Sequence, residues 1–77
     1  MYASYNTQDI RIQYQTLIIR GFECICEHTI RRAFVTKSKI ELLLRILSLK
    51  ERNTEFIAME TNLLQMKESL TLLINSP

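Results

Sequence analysis

Glycine and proline are nearly missing. The 77 residues hold one of each, Gly21 and Pro77, and no tryptophan. Both residues interrupt helices, and hairpin turns draw heavily on glycine, so their scarcity favours helix over sheet. A glycine-rich phosphate loop is excluded. Disulfide scaffolding is excluded too, because the two cysteines, Cys24 and Cys26, stand too close in sequence for ordinary bridge geometry. A reducing, cytoplasmic compartment is therefore expected. No stretch approaches the ~18 apolar residues of a membrane span. Charge of one sign is also lacking. Ten basic and eight acidic side chains leave a net charge of +2, so neither nucleic acid nor an anionic membrane is called for. Met1 to Asn6 has no basic stretch leading into an apolar run, and no signal peptide is expected.

What is present is helical periodicity. Val35, Leu42, Leu49, Phe56, Leu63 and Leu70 recur every seventh residue. From Leu49 a second row joins them, giving Leu49, Arg52, Phe56, Met59, Leu63, Met66, Leu70 and Leu73. Alternating steps of three and four are the seam of a coiled coil or a bundle helix. The spacing predicts an all-α chain with a long amphipathic helix over 38–74, which at ~1.5 Å per residue would be ~55 Å long. Candidate partner-binding residues are Val35, Leu42, Leu49, Phe56, Met59, Leu63, Met66, Leu70 and Leu73. Glu41 and Arg45 form a favourable i,i+4 pair on this helix. Asn53 and Glu60 fall on an adjacent row and are expected to face water.

Upstream, residues 1–7 read as irregular, with Asn6 or Thr7 as an N-cap and Asp9 in the first turn. A first helix is expected over 8–34, with apolar rows Ile10, Tyr14, Leu17, Ile18, Ile25 and Ile19, Phe22, Cys26, Ile30, Ala33. Gly21 interrupts it at about 1 kcal/mol relative to alanine. The segment TLIIRGFECIC is rich in sheet formers, but no turn dipeptide or matching strand lies nearby, which favours helix. Ser38-Lys39-Ile40-Glu41 fits a capping box. It places a break near 35–38 and a two-helix hairpin, or else it lies inside one continuous rod.

Chemistry is sparse. Cys24, Glu27 and His28 are the one metal-like group, and a structural zinc site wants a second pair of ligands that the chain lacks. Nucleophilic catalysis needs a base and an orienting acid around a single histidine that a helix holds away from them. No catalytic residue, metal or cofactor is expected. The basic run Arg31, Arg32, Lys37, Lys39 reads as a solvated helix face or hinge, since a nucleic-acid domain would bring more charge and a known motif.

The run Thr36-Lys37-Ser38-Lys39-Ile40, then Leu43, Leu47 and the Glu51-Arg52 pair, resembles the central segment of the Brick family. That family is the smallest subunit of the SCAR/WAVE regulatory complex, which controls Arp2/3-dependent actin nucleation. Its leucine-glutamate-arginine step is similar to Leu49-Lys50-Glu51-Arg52, with Phe56-Ile57 following. Gln8-Asp9-Ile10 and Tyr14 sit near its upstream aromatic positions. Ile10 stands where the family has tryptophan, and Leu44, Arg45 and Ile46 replace a polar stretch. The resemblance implies a non-catalytic, cytoskeleton-associated subunit with a long helix packed on the N-terminal helices of the SCAR/WAVE and Abi subunits. The residues alone allow another class: a self-associating coiled coil, or a helical-hairpin adaptor in a different multiprotein complex.

Overall fold

Asn6 opens the first helix. Its side-chain Oδ1 accepts a hydrogen bond from the Asp9 backbone N–H at 2.8 Å, which satisfies one of the donors that a helix start leaves without a partner. In the computed structural model, which describes residues 6–76, helix α1 spans Thr7–Glu27, α2 Ile30–Ser48 and α3 Thr54–Asn75. Among the described residues there is no strand. Of the irregular start expected over 1–7, Met1 to Tyr5 lie outside the described residues, and Thr7 is already helical.

The helices form an up-down-up bundle. α1 and α3 run parallel, as their contacts show: Arg11 meets Glu55 and Tyr14 meets Asn62 in the same order along both helices. α2 runs against both, with Cys24 beside Thr36 and Glu41 beside Lys67. The core takes Ile10, Leu17 and Cys24 from α1, then Ala33, Ile40, Leu43 and Leu47 from α2. α3 contributes Phe56, Met59, Leu63, Met66, Leu70 and Leu73. Every residue of that last series is buried, so the alternating three-and-four seam is real and faces inward. Burying one such side chain contributes roughly 1.5–3 kcal/mol.

The breaks lie elsewhere than expected. The helix placed over 8–34 stops at Glu27, because His28 adopts a left-handed conformation (φ 54°, ψ 41°). The Thr29 N–H then reaches back to the Cys24 carbonyl at 3.1 Å, a Schellman-type closure that needs left-handed backbone at the residue before it. Of the two readings of Ser38-Lys39-Ile40-Glu41, the break near 35–38 does not occur and the segment lies inside a helix. Ser38 sits in the middle of α2, and Thr36 is buried. Instead the rod expected over 38–74 is cut at Leu49–Asn53. Leu49 and Lys50 donate to the Ile46 and Leu47 carbonyls, both at 3.1 Å, tightening the last turn of α2 to a 3₁₀ pattern. Asn53 then caps α3, accepting from the Phe56 N–H at 2.8 Å. A helix start leaves donors that this amide satisfies, whereas a continuous helix would have left it facing water.

The longest dimension of the bundle is 39 Å, well short of the ~55 Å that the uninterrupted helix would need. Its radius of gyration is 12.7 Å, close to the ~11.5 Å of a compact chain this long. Gly21 has its explanation in this packing. A Cβ at that position would lie 2.4 Å from Met66 Sδ and 2.7 Å from its Cγ. The missing side chain lets α1 approach α3 at this level. No helix among the described residues is long and apolar enough to cross a membrane.

Candidate interaction surface

The nine residues expected to bind partners divide into two groups. Phe56, Met59, Leu63, Met66, Leu70 and Leu73 point into the chain's own core, and Leu63 and Leu70 are fully buried. Partner capture through these six is corrected to intramolecular packing: the breaks at His28 and at 49–53 fold α1 and α2 back onto the seam. Val35, Leu42 and Leu49 stay outside, 55%, 56% and 86% exposed. They follow one another at heptad spacing along the outer side of α2, Leu49 standing just past its end. The core side of that helix is taken by Ala33, Thr36, Ile40, Leu43 and Leu47 instead.

Other outward apolar groups accompany them. On α1, Ile12, Ile19 and Phe22 are each more than half exposed, on the side away from Ile10 and Leu17. On α3, Ile57 and Leu64 are exposed one heptad apart. The second α1 row of the sequence thus faces solvent at Ile19, Phe22 and Cys26, and joins the core at Ala33 of the next helix. A monomer of this size rarely leaves so many large apolar side chains in rows on its surface unless something covers them.

Charge is distributed unevenly over the same surface. Glu55 takes a forked hydrogen bond from the Arg11 guanidinium, with Nη2 to Oε1 at 3.0 Å. That hydrogen bond, helped by the opposite charge, holds the Glu55 carboxyl below its ordinary value and raises Arg11 above its own. Arg52 pairs with Glu60 at 3.4 Å and Lys67 with Glu41 at 3.5 Å. Glu41 therefore reaches across to α3 and not along α2 to Arg45, as the i,i+4 spacing suggested. Among the described residues the side chains of Arg20, Arg31, Arg32, Lys37, Lys39 and Arg45 have no such partner. Five of these six belong to α2, whose single acid is Glu41. Arg31 and Arg32 even occupy its first turn, where the helix dipole favours acids, and Thr29 makes no side-chain cap.

Three of the unpaired cations come together. Arg20 from α1 and Arg31 and Arg32 from α2 line a groove of about 520 Å³, with Glu23 and Val35 beside them. Its floor holds Cys24 Sγ and Thr36 Oγ1, 3.8 Å apart. Thr36 is a buried polar residue within the apolar core, and the thiol is the neighbour that its hydroxyl meets. A second groove of about 410 Å³, between α1 and α3, is lined by Phe22, Ile25, Gln65 and Met66 among others and carries no charged side chain. Of the metal-like trio, Cys24 is buried, while Glu27 and His28 are exposed at the end of α1. No group of three potential ligands among the described residues could hold an ion.

Sequence reasoning read the basic run as a solvated helix face or hinge, and the run does lie on a helix, α2, but its excess over acids was not followed. The signal was available in the ratio of bases to acids between Ile30 and Ser48, once that stretch is known to be one helix. Comparison of the chain with protein-family models, with curated proteins and with solved structures finds no match.

Proposed function

We propose that this chain is a non-catalytic helical interaction subunit, a small bundle that presents its outer faces to other proteins. The observation that carries the reading is the heptad row Val35, Leu42 and Leu49, left outside a core that α3 already fills. Burial of those side chains by a partner would remove apolar surface that the fold itself leaves wet.

The resemblance over Thr36 to Ile57 supports a narrower form, a subunit packed against the SCAR/WAVE and Abi helices in the cytoplasm. That segment contains the break at 49–53, which a single long packed helix would have to straighten. The other form is a self-associating or adaptor subunit of a different complex. The test is recovery of the tagged chain from cells by crosslinking from position 38, one turn before Leu42 on α2, read by mass spectrometry. Leu42→Asp and the surface control Thr61→Asp are run beside it. The expected result is a defined partner set that survives Thr61→Asp and disappears with Leu42→Asp. SCAR/WAVE and Abi proteins in that set identify the narrower form. An identical set from all three chains, or none from any, contradicts the reading.

A further inference from the structure

The groove between α1 and α2 differs from the rest of the surface in combining three features. It is concave, with walls from two helices. Its rim carries Arg20 on one wall and Arg31 and Arg32 on the other, against a single acid, Glu23. And α2 continues from it, one heptad past Val35, to the exposed Leu42. We infer that this groove takes one helix of a partner protein, apolar on the face that meets Val35 and Leu42 and carrying carboxylates where it meets Arg20, Arg31 and Arg32. This rests on the interaction reading above and names the chemistry of the partner.

Two competing occupants fit less well. A bilayer is flat: it could touch the arginines on the rim but would leave the roughly 520 Å³ between the walls unfilled. A second copy of this chain would have to bring several acids along one helix face, but Glu41, Glu55 and Glu60 are already held in ion pairs, Glu23 lies in the groove itself, and the other four, Asp9, Glu27, Glu51 and Glu68, are spread over the two ends of α1, the 49–53 turn and α3. An acidic helix satisfies both requirements. Its apolar residues extend the bundle by ordinary side-chain packing between helices. Its carboxylates find guanidinium groups able to donate to both of their oxygens at once. Because these charges sit at an exposed rim, they act mainly on encounter rate and partner choice, and salt weakens them.

The experiment uses the full chain and three probes. One is a labelled synthetic helix of leucine heptads flanked by glutamates, one the same helix flanked by lysines, and one vesicles containing phosphatidylserine. Sedimentation of the free protein runs alongside. The glutamate-flanked helix should bind, at least about tenfold more tightly than the lysine-flanked one, and more weakly as salt rises. Arg31→Glu with Arg32→Glu should weaken binding about tenfold or more, and Leu42→Asp should abolish it. Glu68→Lys, on the far side of α3, should leave it unchanged. Thermal unfolding of each variant separates loss of binding from loss of fold. Equal binding of both helices, preference for vesicles, self-association abolished by Leu42→Asp, or no binding to any probe would each overturn the acidic-helix assignment. The interaction reading fails separately, and only if crosslinking from position 38 also captures no defined partner.

Discussion

A methyl group at Gly21 has nowhere to go. The nearest atoms are Sδ and Cγ of Met66, and the second of these is too near the backbone to swing clear. Gly21→Ala in an open helix interior would gain about 1 kcal/mol of propensity. Here overpacking, typically about 1–3 kcal/mol, outweighs it. The expected result is a net loss of stability by denaturant titration. A double-mutant cycle with Met66→Ala should show the two changes costing less together than apart. At His28 the expectation is reversed. A non-glycine residue in left-handed backbone is under strain, and His28→Gly should raise stability by roughly 1 kcal/mol, whereas His28→Val should lower it. The Arg11–Glu55 pair carries a pH signature. Since Glu55 titrates lower when folded than when unfolded, its contribution is present above the ordinary carboxylate range. It is lost as pH falls through the depressed folded value. The stability gap between the native chain and Glu55→Gln should therefore close on acidification, a comparison that melting curves across the acid range would check. Both partners are exposed, so the effect is small.

At the scale of the element, what was legible depended on whether a signal was local. Asn6 could be read as a cap because it precedes Asp9 and an apolar row. The inward row of α3 could be read because its spacing never falters from Phe56 to Leu73. The cut at 49–53 was hidden because Lys50, Glu51 and Arg52 are good helix formers and carry no glycine or proline. Only Asn53, followed by Thr54-Glu55-Phe56, marked the new start, and in a heptad frame it passed for a water-facing polar residue. The Ser38-x-x-Glu41 match was the converse case. The residues of a capping box are ordinary helix residues when Ala33, Thr36, Ile40 and Leu43 are packed on the same side. If the Asn53 side chain fixes the start of α3, Asn53→Ala should lower stability by about 1 kcal/mol and Asn53→Asp should retain most of it. Chemical denaturation of the three proteins decides this. Equal stability of all three would mean that the turn is held by packing alone.

For the whole molecule, the question is which apolar residues are inside. Phe56 and Leu42 belong to the same heptad row in the sequence, yet Phe56 is 7% and Leu42 56% exposed. Phe56→Asp puts an unpaired charge in the core and should cost about 4 kcal/mol or more, enough to unfold a chain this small. Leu42→Asp should leave the melting temperature within a few degrees of the native chain while removing partner capture. No local rule could have separated these two residues, because their separation depends on how α2 turns back against α3. The distance across that turn is the most direct measure of it. Spin labels at Ser38 and Ser69, in a background with Cys24→Ala and Cys26→Ser and diluted with unlabelled protein, report it by pulsed electron resonance. Neighbouring helices pack with axes about 8–10 Å apart, and Glu41 already touches Lys67, so the bundle predicts a label separation under about 20 Å. A separation near ~45 Å, the length of a continuous helix between those positions, would contradict the bundle. It would also return Phe56 and the rest of the α3 row to the surface.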